Sequence, residues 1–319
     1  MFLAPLGRSL ASLLKEAPTH GTAVPLSWYD HLLPLLQETD LKGISETPRL
    51  PACLFLLLAI AQSSFAGTAY SEFMKPHRAD ASKLHGNAEV VTHRFGEYQL
   101  VEIFIPAGKV KVTVHDLQIK GTAAEAYEQI ITADTVAVVG GGFYGYDKDG
   151  DETPIGLTRE NGVRKVALMP WSHGGVLTSD GDGHVRIYPA KTAAQGGRWA
   201  FALQSKPIIV LNNNVDVARN LRDSDFNRVA VGTTSEGDTL IIGLFHSFGQ
   251  AGTLVQLARI YKEVADQRGV MILRALAMDG GAGAQIHLPE IKKSFGDTGV
   301  SYFPNAIKFD KNSEQNNKK

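Results

Sequence analysis

The chain has almost no cysteine, because Cys53 is the single residue of this kind among 319. Cys53 stands at the start of an apolar run that we interpret below as a cleaved segment, and this position also argues against a lipoprotein attachment site. Without Cys53 the mature protein has no thiol. Disulfides, a cysteine nucleophile and a cysteine–zinc site are then all excluded.

The chain also has almost no net charge, with 32 basic residues against 33 acidic ones and no basic stripe. Nucleic-acid binding relies on clustered positive charge, so we expect no nucleic-acid partner.

A long hydrophobic run is missing too. The apolar run at residues 51–61 falls short of the ~20 residues that cross a bilayer, so we expect no stable membrane span.

The N-terminal region has the layout of an export signal. Arg49 precedes the apolar run, and small and polar residues follow it up to Gly67. This pattern predicts a signal peptide at residues 51–66 with cleavage near Ala66, hence a periplasmic or secreted protein. Residues 1–50 are interpreted as a non-native or leader extension, with the true start downstream of Met1. The alternative is a cytosolic protein with one buried apolar helix.

After this region, period-two alternation dominates, which is typical of strands. We predict an irregular lead-in at residues 67–87, a single domain at 88–302 and a polar tail at 303–319. The predicted fold class is α+β, a mixed, mostly antiparallel β-sheet core with a few packed helices. Helices are predicted at 122–132, 215–221 and 253–267, and the clearest strands are Glu89–Arg94, Tyr98–Pro106, Lys109–Asp116, Thr135–Val139 and Ile208–Leu211.

A glycine-rich stretch, Gly140–Gly145, follows a predicted strand and matches the dinucleotide-binding pattern. The turn-forming residues after it cannot begin the helix that would hold a pyrophosphate, so we reject this interpretation. The acidic turn Asp147–Glu152 lacks the glycine and glutamate of an EF-hand loop. A solvated hairpin turn is favoured and a weak calcium site is the alternative. Otherwise we predict no metal and no cofactor.

A nearly unbroken apolar run, Val270–Met278, predicts a buried strand that ends at Asp279, which Gly280 and Gly281 follow. A carboxylate at the end of a buried strand, next to glycines that let a ligand approach the backbone, is typical of a functional site. A turn aspartate that binds local backbone N–H groups is the alternative. Three further residues are candidates for ligand contact or for ordinary packing: Trp171, His173 and Trp199.

Arg228 precedes another apolar strand, and its side chain is either a surface charge or an anion-binding fork. Five motifs then stand in a consistent order. The first motif is the glycine turn Gly140-Gly-Gly-Phe143 together with Pro154-Ile-Gly-Leu157. The other four are Gln204-Ser-Lys-Pro-Ile-Ile-Val210, Arg228-Val-Ala-Val-Gly232, Gly252-Thr-Leu254 and Met278-Asp-Gly-Gly281. In this order, over residues 89–290, the sequence resembles the phosphodiester glycosidase family.

The resemblance implies an exported hydrolase that cleaves a sugar-1-phosphodiester or a related glycosidic linkage in envelope or extracellular glycans. Its partner would be a carbohydrate or sugar phosphate. The implied catalytic residues are Asp279, Arg228, Glu152 and His246. The implied substrate-binding residues are Gly141, Gly142, Phe143, Gln204, Ser205, Gly280 and Gly281.

The sequence departs from the family pattern at three places. Gly140 replaces an asparagine, Lys206 replaces a glycine, and Ala282, Gly283 and Ala284 replace serines. Because most of these changes remove polar side chains, a glycan-binding relative without catalytic activity is the alternative to a hydrolase.

Overall fold

A computed structural model of the chain describes residues 79–181, 183–193, 197–218, 221 and 223–312. The predicted leader at 1–50 and the predicted signal peptide at 51–66 lie outside the described residues, as do residues 67–78 and 313–319. Within the described ranges, none of the helices has the length and apolar character needed to cross a bilayer.

The largest element is an eight-stranded sheet in which all neighbouring strands are antiparallel. Its strands, in spatial order, are β1 (Ala79–Lys83), β2 (Glu89–Phe95), β3 (Tyr98–Ile105), β16 (Thr239–His246), β15 (Arg228–Thr234), β17 (Ile272–Ala277), β13 (Ile208–Leu211) and β14 (Asn214–Val215).

Two five-stranded sheets and one short hairpin complete the β structure. The first consists of β11 (Val185–Pro189), β10 (Gly175–Ser179), β12 (Phe201–Ser205), β8 (Thr158–Glu160) and β9 (Val163–Val166). The second consists of β19 (Lys293–Phe295), β18 (Ile286–Leu288), β5 (Thr135–Gly140), β20 (Ser301–Lys311) and β4 (Val110–Gly121). The hairpin pairs β6 (Tyr144–Tyr146) with β7 (Glu152–Pro154).

Alternation along the strands builds a layered core. On β15, Val229 and Val231 face the main core that the sheets share, while Ala230 between them faces the opposite side. There it packs under helix α3 (Leu254–Gln267), with Leu257 and Tyr261 fully buried. Successive strand residues point to opposite faces, so one strand serves both layers.

Each longer helix begins at a threonine cap. Thr253 and Gln256 form a reciprocal capping box at the start of α3, and Thr122 and Glu125 form one at helix α1 (Ala123–Glu128). These pairs satisfy backbone donors that the first helical turn leaves without partners. Helix α1 covers the second five-stranded sheet through Tyr127. The short α2 (Ala190–Ala193) lies beside the first.

The predicted fold class is confirmed, as a largely antiparallel β fold with a few packed helices. Three local predictions are wrong. Residues 67–87 are not irregular throughout, because β1 lies within them. Residues 303–319 are not simply a tail, because β20 runs to Lys311 between β5 and β4. The helix predicted at 215–221 is absent from the described residues there, where β14 ends at Val215.

Candidate active site

Asp279 lies just beyond the end of β17, between two glycine segments. Its backbone N–H donates to the Gly141 carbonyl over 3.0 Å, and its own Oδ1 accepts from the Gly280 N–H over 2.9 Å. The first bond ties the end of β17 to the end of β5. The residue as a whole is partly buried.

The surroundings of Asp279 favour its neutral form. Burial raises the pKa of the Asp279 carboxyl to about 7, while the Gly280 hydrogen bond and the positive charge of Arg228 act in the opposite direction. Removing a carboxylate from water disfavours its charged state, which is why burial dominates. A carboxyl that titrates near neutral pH can exchange protons with a substrate or water under physiological conditions.

The Asp279 carboxylate has room because residue 283 is glycine. A Cβ built on Gly283 would lie 2.6 Å from Asp279 Oδ2 and 2.9 Å from its Cγ. The neighbouring position 140 is equally restricted, since a Cβ there would lie 2.1 Å from the Gly283 carbonyl oxygen. Side chains at 140 and 283 would therefore require this backbone to move.

Arg228 is the first residue of β15 and is nearly buried. Its Nη2 donates to both carboxylate oxygens of Asp223, at 3.0 and 2.9 Å, and to the Ser224 carbonyl at 2.8 Å. Its Nε donates to the Gly252 carbonyl at 3.2 Å. Asp223 also accepts from the Leu254 N–H at the start of α3, where a helix favours negative charge.

Arg228 nevertheless belongs to the site, because its remaining nitrogen, Nη1, lies beside Gly280, the residue that follows Asp279. A Cβ on Gly280 would be 3.1 Å from Arg228 Nη1. The sheet register explains this position: β15 and β17 are antiparallel, so the start of one strand meets the end of the other. The positive charge of Arg228 therefore lies close enough to Asp279 to act on its carboxyl.

Gly141 and Gly142 are held by Asn305 of β20. The Gly142 N–H donates to Asn305 Oδ1 over 2.7 Å, and the Gly141 N–H donates to the Asn305 carbonyl over 3.2 Å. The Gly281 N–H likewise donates to Asn227 O over 2.9 Å. These backbone donors are used within the protein, so the glycines contribute close packing around Asp279.

Gln204 and Ser205 line the same region with buried side chains that bind protein backbone. Gln204 Oε1 accepts from the N–H groups of Leu157 and Met169, and its Nε2 donates to the Met169 carbonyl. Ser205 Oγ donates to Ala277 O over 2.7 Å. Both residues therefore position the segments around the site.

Phe143 and Trp171 form an edge-to-face pair with ring centroids 5.8 Å apart. The Lys206 ammonium lies 4.7 Å from the Trp171 centroid and 5.7 Å from that of Phe143. Trp199 instead stacks on Tyr188, away from this pair. His173 is exposed, and its backbone carbonyl accepts from Ile208 N–H.

His246 lies in a neighbouring cleft on the far side of Asn227. Its backbone N–H donates to Asn227 Oδ1, and its Nδ1 accepts from the Phe248 N–H at 3.2 Å. The cleft also contains Gln99, Ser247, Ser294 and Asp297. Burial lowers the His246 pKa below its ordinary value of 6.5, with Glu97 opposing, so a neutral ring with the proton on Nε2 is favoured.

Glu152 lies on β7 in another cleft, with Tyr146 and Tyr302. It forms an ion pair with Lys120, the two charged atoms being 2.8 Å apart. Among the described residues no hydrogen bond or ion pair joins Glu152 to Asp279. The structure therefore does not bring these two carboxylates into direct contact.

The described ranges contain no group of three or more histidine, cysteine, aspartate or glutamate side chains that could hold a metal ion. In the acidic turn, Asp147 Oδ1 accepts from the N–H groups of Asp149 and Asp151. This carboxylate thus closes its own turn.

Two residues at the site were not predicted: Asp223, which pairs with Arg228, and Asn305, which binds the turn at Gly141 and Gly142. Asn305 carries a sequence signal, since it is a polar residue inside an apolar stretch of what we had assigned to the tail. Asp223 carries none, because nothing local distinguishes it from Asp225.

The comparisons with known proteins concern the family and the fold. A family model described as phosphodiester glycosidase matches residues 133–309, which is just over half of the chain. The match includes Asp279, Arg228 and Asn305. No curated protein matches the chain.

Solved structures resemble the fold at low identity. A hypothetical protein from Synechocystis superposes with a TM-score of 0.51 and 9% identity, over 75% of this chain and 64% of that one, so our chain spans less than two thirds of its length.

The catalytic domain of zebrafish N-acetylglucosamine-1-phosphodiester alpha-N-acetylglucosaminidase, auto-inhibited by its pro-peptide, gives a TM-score of 0.48 and 12% identity, over 74% of this chain and 82% of that one. A Burkholderia pseudomallei protein gives 0.46 and 10%, over 78% and 89%.

Proposed function

Because the chain belongs to the phosphodiester glycosidase family, we propose that it is an exported hydrolase that cleaves a sugar-1-phosphodiester or a related glycosidic linkage. The observation that carries this proposal is the Asp279 carboxyl, which has a pKa of about 7 and lies between two glycine segments beside Arg228. Its natural substrates are envelope or extracellular glycans.

In the proposed reaction the bond between C1 of the sugar and the phosphate oxygen breaks, and its electron pair leaves on the phosphate. Water supplies the new hydroxyl on C1. Positive charge develops at C1 in the transition state, as in other glycoside hydrolyses. The ionised Asp279 stabilises this charge or accepts the proton of the attacking water. Phosphate is a good leaving group, so a strong general acid is less necessary.

Arg228 contributes through Nη1 and through its charge, which favours the ionised form of Asp279. Gly280 and Gly281, which are partly exposed, let the sugar approach the backbone, whereas the buried Gly141 and Gly142 position the segment bonded to Asp279. His246 and Glu152 are the residues that we propose as a second acid or base, each from its own cleft.

The alternative is a glycan-binding protein without catalysis. In that case we expect the charges of the cleft to satisfy each other, with no open space between them. Asp223 does satisfy the charge of Arg228, as this alternative expects. Among the described residues, no hydrogen bond or ion pair joins Arg228 to Asp279.

The test is to incubate the purified protein with uridine diphosphate N-acetylhexosamines and aryl N-acetylhexosaminides, and to measure free reducing sugar. Asp279→Asn should abolish release, because it removes the charge that answers the developing carbocation. If the wild-type protein binds these compounds without turnover, and Asp279→Asn binds them equally well, the binding function is correct and the hydrolase proposal is wrong.

A further inference from the structure

The structure places an unusual cation next to the candidate active site. The exposed Lys206 ammonium lies 4.7 Å from the centre of the Trp171 ring and 5.7 Å from that of Phe143. A cation over an aromatic face is attracted by the negative charge of that face. The long lysine side chain is thereby held in one region rather than extending freely into water.

Two connections bring Lys206 to Asp279. Its neighbours bind the end of β17, through Ser205 Oγ to Ala277 O at 2.7 Å and Ala277 N to Pro207 O at 3.0 Å. Phe143, below the ammonium, follows directly after Gly141 and Gly142. Gly141 accepts the backbone hydrogen bond of Asp279. Lys206 therefore lies in a segment hydrogen-bonded to the end of β17, and its ammonium contacts the residue that follows Gly141 and Gly142.

The supporting aromatic residues are firmly positioned. Trp171 packs against Gly156 and Gly174, where an added Cβ would come within 3.0 Å of the indole or of Trp171 Cβ. Gln204 binds the backbone of Met169, two residues earlier. A ring face covered by an ammonium is not available for stacking on a sugar, so its role here is to hold Lys206.

A substrate phosphate needs a cation that is not already paired with a carboxylate of the protein, and Arg228 is not such a cation. Both oxygens of Asp223 bind Arg228 Nη2, so one carboxylate already offsets this guanidinium. A phosphodiester is anionic and gains further negative charge when its C1–O bond breaks, so it needs a cation without such a partner. Among the described residues no acidic side chain forms an ion pair with Lys206.

We propose that Lys206 is the cation that binds the phosphate of the substrate and selects anionic substrates over neutral glycosides. This inference rests on the proposed hydrolase function and deepens it. Lysine is a point charge that rotates its three donors toward any phosphate oxygen, which suits a leaving group whose charge changes during the reaction.

The test compares Lys206→Met, which keeps an unbranched side chain but removes the charge, with Lys206→Arg, which keeps the charge. For a uridine diphosphate sugar, kcat/KM should fall at least tenfold in Lys206→Met and remain within about threefold of wild type in Lys206→Arg. For a neutral aryl glycoside, Lys206→Met should change kcat/KM less than twofold. Lys165→Met, at an exposed lysine of β9, is the matched control and should change neither value.

Equal losses on both substrates in Lys206→Met would assign the lysine a structural role and overturn the proposal. If neither substrate is turned over, the hydrolase function fails, and the anion site is tested separately with inorganic phosphate. Phosphate should raise the melting temperature of wild type and of Lys165→Met but not of Lys206→Met. Equal protection of all three proteins, or no protection of wild type, would also overturn it.

Discussion

The Asp279 carboxylate occupies the space that a side chain on Gly283 would fill, since Oδ2 lies 2.6 Å from the position of a Cβ there. The φ angle of Gly283 is not positive, so its backbone conformation is one that other residues also adopt. A larger residue at 283 would thus be opposed by Asp279 itself rather than by backbone strain. The absence of a side chain at position 283 is therefore what leaves room for this orientation of the carboxylate.

Gly283→Ala should move the Asp279 carboxylate by close to an ångström and reduce kcat/KM about 10- to 100-fold, because misplacing a catalytic group by this distance is costly. Overpacking should also lower the free energy of unfolding by about 1–3 kcal/mol. Steady-state kinetics and denaturant unfolding measure the two effects. The control is Gly299→Ala, where a Cβ meets open space. Unchanged kinetics in Gly283→Ala would show that Asp279 does not act from this position.

The pH dependence of stability should report the Asp279 carboxyl directly. Its pKa is about 7 in the folded protein and about 3.9 in an unfolded chain. Between these values the folded state keeps a proton that the unfolded state has lost, so its stability falls as pH rises from about 4 to about 7. The contribution of the Asp279 carboxyl to folding stability is therefore fully present below about pH 4 and lost above about pH 7.

Asp279→Asn lacks this titration. Relative to wild type it should therefore gain up to about 4 kcal/mol in free energy of unfolding between pH 4 and pH 8. Urea unfolding at several pH values measures the difference, and Asp216→Asn, at an exposed position, is the control. A constant difference across this range would mean that the Asp279 pKa is close to its ordinary value.

Much of this arrangement was readable from the sequence. The strand that ends at Asp279, the glycine turn after β5 and the capped helix α3 all follow from periodicity and turn residues, which act over a few neighbouring positions. Arg228 was a candidate because a charged residue at the start of an apolar strand is unusual. The family resemblance supplied its place near Asp279.

The pairings across the fold were not readable. Asp223 binds Arg228 because a loop folds back on the start of β15, and Asn305 reaches Gly142 from a strand 163 positions away. β20 was assigned to a polar tail because residues 310–319 are polar, although its central part alternates. Such contacts depend on which strands become neighbours, and local sequence does not determine that.

The ion pair between Arg228 and Asp223 should be costly to break from one side. Asp223→Ala leaves a nearly buried guanidinium without its carboxylate and removes an acceptor from the start of α3, so we expect a loss of about 3–5 kcal/mol. The exposed pair of Arg186 and Asp180 provides the control, since Asp180→Ala should cost less than about 1 kcal/mol. Similar losses in both variants would show that burial does not strengthen the first pair.

Arg228→Lys should reduce both stability and turnover. A single ammonium cannot make the hydrogen bonds of both Nε and Nη2 and also place a positively charged donor beside Gly280, where Nη1 lies in wild type. We expect kcat/KM to fall at least tenfold.

The side chain of Asn305, on β20, fixes the position of the turn at Gly141 and Gly142. Its amide accepts from Gly142 N–H over 2.7 Å and donates to Thr158 Oγ over 3.2 Å, and its side chain is buried. Asn305→Ala would leave the buried Gly142 N–H without an acceptor, at a cost of about 1–3 kcal/mol. The turn should then shift away from Asp279.

Because the Gly141 carbonyl binds Asp279 N–H, this shift should lower kcat while changing KM for the diester less than threefold. Asn214→Ala, at an exposed asparagine, is the control for stability and kinetics. Asn305→Asp separates the two roles of the amide: its carboxylate still accepts from Gly142 but no longer donates to Thr158. It should therefore retain more kcat than Asn305→Ala, and the reverse order would show that the Thr158 bond, not the glycine turn, is what Asn305 maintains.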